Sequence, residues 1–208
     1  MTKTLAFRRQ AVANAAARAA SLSVLTLVCG SGLALAGGGT VSGKVEANPA
    51  KFLEETVVYL KEVPGKYAAR TQNMDQRGMK FIPHILTVTQ GDSVEFLNHD
   101  AMAHNVYSPD NETYNLGSFK PEEKRNYTFK SAGAYTQLCS IHPEMLAFIF
   151  VGQNPYAAVV DKEGHFTIKD VPAGSYTISV WNSHLKSADK KVTIAEGQAA
   201  EVSFSLHR

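Results

Sequence analysis

Cys139, His142 and Met145 stand three residues apart in the stretch Cys139-Ser140-Ile141-His142-Pro143-Glu144-Met145, so one short loop carries a thiol, an imidazole and a thioether. A metal that cycles between a soft reduced ion and a borderline oxidised one needs this mixture. Sulfur suits the first state and imidazole suits both, in a trigonal arrangement with a weak axial sulfur. One copper ion, alternating between Cu(I) and Cu(II), answers that description. The loop supplies three of four such donors, and His104 is the natural fourth, because it follows a strand ending near Leu97 and would sit at the same end of a sandwich.

The same residues admit blander readings. Cysteine, histidine and methionine are each often buried for packing alone. Zinc accepts thiolate and imidazole but rarely a thioether. A Cys–His nucleophile needs an orienting third group and an oxyanion hole, and neither is recognisable. Haem attachment needs Cys-x-x-Cys-His, which is absent. His99 competes with His104 for one ligand position, whereas His84, His165, His184 and His207 read as solvent-facing. Met74 and Met102 could lend soft donors to a second copper ion, which keeps copper storage or delivery open as a function.

Cysteine usage sharpens the question. The chain has two cysteines, and Cys29 falls in an N-terminal segment that reads as an address. Lys3, Arg8, Arg9 and Arg18 precede an apolar run from about Ala20 to Leu35, with Ala34-Leu35-Ala36 as a small-x-small cleavage pattern. Residues 1–36 are therefore expected to be a signal peptide, helical or disordered, cleaved after about Ala36, and the mature chain is expected in the periplasm without stable membrane insertion. The Arg8-Arg9 pair also raises a twin-arginine route. Cys139 is then the sole thiol in an oxidising compartment, where a lone cysteine calls for a partner chain or a metal.

The leader holds four of the 21 Lys and Arg and none of the 19 Asp and Glu, so its removal turns the formal charge from +2 to slightly negative. No clustered basic face remains for DNA or RNA. The rest of the chain has a period of two almost throughout. Ser93-Val94-Glu95-Phe96, Asn126-Tyr127-Thr128-Phe129, Ala147 to Val151, Tyr176 to Val180 and Val202 to Leu206 are β-branched or aromatic stretches bounded by turn signals such as Gln90-Gly91-Asp92 and Pro172-Ala173-Gly174. An all-β fold built of sandwiches follows.

The segment Phe81-x-Pro83-x-x-Leu86-x-Val88-x-x-Gly91-Asp92-x-Val94-x-Phe96-x-Asn98-x-Asp100-x-x-x-His104-Asn105-Val106, with Gly133-x-Tyr135 ahead of Cys139-x-x-His142-x-x-Met145, resembles the cupredoxins of the plastocyanin group. The two-residue gap before Met145 is most like amicyanin and pseudoazurin, and the whole chain resembles exported methylamine-utilisation proteins. The resemblance covers residues 79–152 and implies a Greek-key β-sandwich holding a blue (type 1) copper ion. It makes His104, Cys139, His142 and Met145 the metal ligands, with Met145 axial and Asn105 tying the two ligand segments together. It also implies one-electron transport between redox protein partners, a donor and an acceptor, that dock near His142 against Pro143, Leu146 and Met102. The alternative is a periplasmic copper storage or delivery protein. No catalytic constellation is visible, and no His-x-His pair suggests further oxidase coppers.

A second resemblance lies in Gly164-x-Phe166-x-Ile168-x-x-Val171-Pro172-Ala173-Gly174-x-Tyr176-x-Ile178-x-Val180-Trp181, which is similar to the carboxypeptidase regulatory-like, transthyretin-type sandwich. That family opens with strands like Gly39 to Val45 and Val57 to Leu60, and here those precede the copper module. The cupredoxin is thus expected as an insertion in a discontinuous sandwich made of 39–66 plus 154–208, with 67–78 as a linker; the alternative is that the early strands pair with the cupredoxin sheet. Val41, Val57, Tyr59, Phe166, Ile168, Tyr176, Ile178 and Phe204 would share the core of the discontinuous sandwich.

Overall fold

The structure is a computed structural model that describes residues 37–208; the expected signal peptide, 1–36, lies outside the described residues. Seventeen strands make up nearly all of its regular structure. Among the described residues no helix is long and apolar enough to cross a membrane.

Two strands come first, β1 (Gly39–Ala47) and β2 (Thr56–Leu60), joined by a 3-10 turn over Ala50–Glu55. Nine follow: β3 (Thr71–Gln76), β4 (Phe81–Ile82), β5 (Ile85–Thr89), β6 (Ser93–Asn98), β7 (His104–Ser108), β8 (Tyr114–Phe119), β9 (Lys124–Thr128), β10 (Gly133–Leu138) and β11 (Leu146–Gly152). The last six are β12 (Ala157–Val159), β13 (His165–Val171), β14 (Gly174–Asn182), β15 (Lys190–Ile194), β16 (Ala199–Glu201) and β17 (Phe204–Leu206).

The pairing sorts these strands into two bodies. β3 to β11 pair only with one another, as the sheets β4-β3-β6-β9 and β5-β11-β10-β7-β8. β1 and β2 pair with strands from the far end of the chain, as β13-β1-β16, with β17 also on β1, and as β12-β2-β14-β15. The chain thus starts one sandwich, builds a second, and returns to finish the first. Gly43 makes the first sandwich close tightly: a Cβ there would come within 1.7 Å of the Val202 carbonyl oxygen.

Period-two alternation then stacks the four sheets through three apolar layers. Val41, Val58, Leu60, Phe166, Ile168, Ile178 and Phe204 are buried inside the outer sandwich. Met74, Val94, Phe96, Phe129, Tyr135, Ile149 and Val151 fill the inserted one. Between them lies a third layer of Val57, Ile85, Phe148 and Phe150, with Tyr59 and Trp181 packed against it. Strands β2 and β11 therefore bury both faces, which is why they read as unbroken apolar runs instead of alternating ones.

Two expectations need correcting. Val57 and Tyr59 do not join the outer core, because neighbouring side chains on a strand point to opposite faces and theirs is the face turned to the inserted sandwich. The stretch 67–78 is not only a linker, and the inserted sandwich begins before Met79: Thr71 to Gln76 form β3, paired in parallel with Ser93 to Asn98. Its polar composition hid it. Only Met74 and Gln76 are buried along this strand, and the Gln76 amide is held by the Leu97 carbonyl, 3.1 Å away.

Candidate metal centre

Sheet register brings the ligand segments to one pole. β7 and β10 are neighbours, with Tyr107 opposite Leu138, so His104 at the start of β7 and Cys139 just past β10 meet at the same end. β10 and β11 pair from Gly133↔Val151 to Leu138↔Leu146, which makes 139–145 the connection of a hairpin. Its return is tightened by the Met145 N–H, which donates to the His142 carbonyl at 3.0 Å.

His104, Cys139 and His142 each bring one ligating atom to within 4.8 Å of the others, the one such group among the described residues. The two Nδ1 atoms are 3.0 Å apart, and the Cys139 sulfur lies 3.8 Å from His142 Nδ1. His104 is fully buried, Cys139 is 3% exposed, and Met145 is fully buried in the same apolar cluster as Cys139. His142 alone of the four is partly open to solvent. His99 is directed elsewhere, with Nδ1 2.8 Å from Asp75. Met74 and Met102 do not form a second soft site, since Met74 is fully buried in the sandwich core while Met102 is 44% exposed.

Asn105 joins the two ligand segments. Its backbone N–H donates to the Cys139 sulfur at 3.4 Å, its side-chain oxygen accepts from Ser140 N–H at 3.2 Å, and its amide is braced by Asn115 at 2.9 Å. The N–H aimed at the sulfur orients it toward the two imidazoles, as outer hydrogen bonds do for metal ligands.

A further residue went unassigned in the sequence. Asp100 Oδ2 sits 2.7 Å from His104 Nε2, and the carboxylate is held by the backbone N–H groups of Gly78 at 2.6 Å and Met79 at 2.9 Å. Burial alone would push the Asp100 pKa up, but these two donors and the His104 ring outweigh it and hold it below the usual carboxylate range. The Asp100 carboxylate can only accept, so Nε2 is the donor of this hydrogen bond and Nδ1 is the nitrogen turned to the cluster. The signal available in the sequence was a carboxylate four residues before a candidate ligand.

The donors fit a copper ion of the type 1 class: two imidazole nitrogens and a thiolate in one group, buried except for His142, with a thioether in the adjoining core. Residues 68–152 match the family described as copper binding proteins, plastocyanin/azurin family. Residues 146–202 match the family described as polysaccharide lyase family 4, domain II; the transthyretin-type resemblance has no counterpart among the matched families. Solved structures similar to the chain include a novel purple cupredoxin from Nitrosopumilus maritimus, 20% identical, covering 38% of this chain and 98% of that one with a TM-score of 0.37. A mutant amicyanin with Cu(I) is 30% identical, covering 38% of this chain and 79% of that one with a TM-score of 0.37. A copper-containing nitrite reductase from Thermus scotoductus is 25% identical, with 46% of this chain and 25% of that one covered and a TM-score of 0.38. No curated protein matches the sequence.

Proposed function

Because residues 68–152 belong to the copper-binding plastocyanin/azurin family, whose members bind one copper ion, we propose that this protein is a periplasmic one-electron carrier with His104, Cys139, His142 and Met145 as its copper ligands. The observation that carries the reading is the convergence of His104, Cys139 and His142 within 4.8 Å. When bound, the ion supplies reversible one-electron redox chemistry, and no bond in the protein need break.

The residues around the site keep it from rearranging. His104 is anchored by Asp100 and Cys139 by Asn105, so the donors are set before an ion arrives. Full burial of His104 and Met145 excludes water from one side. His142 is then the route by which an electron reaches the surface. Exposed large hydrophobic side chains stand next to the ligands in the chain: Ile141 precedes His142, Leu146 follows Met145, and Met102 lies two residues before His104. A patch of that kind suits brief docking of a redox partner, because it desolvates readily and makes few obligate polar bonds.

Copper delivery is the weaker reading, since a handover site should offer its ligands to a competing protein and three of these four are buried. The visible spectrum after Cu(II) addition tests the assignment. We expect an intense thiolate-to-copper band and a reversible one-electron wave, both lost in Cys139→Ala. A spectrum unchanged by that substitution overturns the ligand set, and rapid surrender of copper to an apo acceptor overturns the carrier role.

A further inference from the structure

Strand β8 pairs with β7 out of step, and the irregularity stands beside the residue that bridges the two ligand segments. His104 faces Phe119 and Asn105 faces Ser118, yet Tyr107 faces Asn115 and Ser108 faces Tyr114. Between Asn105 and Tyr107 the partner strand therefore runs one residue longer, which is a β-bulge. Bulges re-aim side chains and recur next to functional sites. The sequence Asn115-Leu116-Gly117 is suited to forming one. Gly117 adopts a φ of 73°, and a Cβ there would meet nothing within 4 Å, so the backbone angle calls for glycine and space does not. Asn115 closes the turn, its Oδ1 accepting from the Gly117 N–H at 2.9 Å.

The same Oδ1 accepts from Asn105 Nδ2 at 2.9 Å. On its other side Asn105 reaches the ligand loop, where its Oδ1 accepts from the Ser140 N–H at 3.2 Å and its own N–H donates to the Cys139 sulfur at 3.4 Å. A backbone N–H can only donate. Gly117 thus fixes which end of the Asn115 amide faces Asn105, and Ser140 fixes which end of the Asn105 amide faces the loop. The terminal torsion of an asparagine is soft, so a carboxamide held at one end swings easily and one held at both ends does not. Asn115 is exposed. Core packing does not account for its orientation, whereas its two hydrogen bonds do.

We infer that Asn115 is a positioning residue of the metal centre, acting through Asn105. The bulge in β8 aims its Oδ1, and that oxygen holds the Asn105 carboxamide across the gap between β7 and the 139–145 loop. The inference rests on the reading of His104, Cys139, His142 and Met145 as copper ligands, and it places a support one step further out than Asn105. Such outer hydrogen bonds set the orientation of ligands and tune the metal they hold.

The test compares the wild-type chain with Asn115→Ala and with Asn115→Asp, which keeps an acceptor oxygen; neither substitution removes core packing. In the metal-free protein the Ser140 N–H, at an exposed residue, reports the bridge through hydrogen exchange. Loss of the brace should quicken that exchange by about tenfold in Asn115→Ala, while Asn115→Asp stays within about twofold of wild type. With copper loaded, Asn115→Ala should shift both the thiolate-to-copper band and the reduction potential, and Asn115→Asp should return the band to its wild-type position. A role in folding alone would lower the thermal midpoint and move neither. Wild-type exchange at Ser140, or a wild-type band and potential, in Asn115→Ala would overturn the inference, as would equal losses in both variants. Absence of the copper band from the wild-type chain would strike the copper reading instead, and the metal-free exchange rates would still decide whether Asn115 holds Asn105.

Discussion

The carboxylate of Asp100 lies 2.7 Å from His104 Nε2, at the opposite ring nitrogen from the one that faces His142. A charged oxygen there stabilises the more positive state of anything bound at Nδ1, and it fixes the ring in the ligating tautomer. Asp100→Asn keeps the shape and removes the charge. It should therefore raise the reduction potential and weaken Cu(II) binding by roughly 10- to 100-fold, with the visible band retained. Voltammetry together with a Cu(II) competition assay checks this, and an unchanged potential would make Asp100 merely a loop fastener for Gly78 and Met79.

The alkaline limit of stability should be set by tyrosines of the inserted sandwich. The Tyr114 ring stacks on Tyr127 at 4.0 Å, the Tyr114 hydroxyl donates to Gln137, and the Tyr127 hydroxyl donates to Glu112 at 3.0 Å. Burial pushes Tyr114 far up, and burial together with the Glu112 bond pushes Tyr127 up to about 12. A raised pKa in the folded state means that the folded chain keeps protons which the unfolded chain releases. The associated stability is fully present below the ordinary tyrosine pKa of about 10 and is lost as pH climbs through about 12. Thermal midpoints should fall across that interval, and Tyr127→Phe should flatten the fall at a cost of about 0.5–1.5 kcal/mol at neutral pH. An alkaline slope identical in the variant would remove Tyr127 from the account.

Much of this was legible in the residues, for reasons that differ by element. Cys139, His142 and Met145 are neighbours in the chain, so their common purpose shows without any fold. Alternation exposes strands such as Ser93 to Phe96, since one face meets water and the other a core. β3 escapes notice because a strand of Thr, Gln, Asn and Asp earns its place through parallel pairing with β6, and that partner is non-local. The face on which Val57 and Tyr59 lie is readable, but the sheet covering that face depends on where the insertion packs. Asp100 is one among 19 acidic residues, and only the folded distance to His104 distinguishes it.

The aromatic layer between the sandwiches should decide whether they unfold as one body. Tyr59 lies 4.6 Å from Phe150, Phe148 lies 5.3 Å from Trp181, and Phe150 lies 6.1 Å from the same indole. Phe148 and Phe150 are 7% and 5% exposed, so their burial is nearly that of a core. Truncating either to alanine should cost about 3–5 kcal/mol. That loss falls on the coupling between sandwiches more than on either interior, because their own cores are separate clusters. The wild-type protein should then melt in a single calorimetric transition, whereas Phe150→Ala combined with Trp181→Ala should melt in two. The later transition should be the one that copper raises, since copper binds only the folded inserted sandwich. A double variant that still melts once, at an unshifted midpoint, would show that the layer fills space without linking the two bodies.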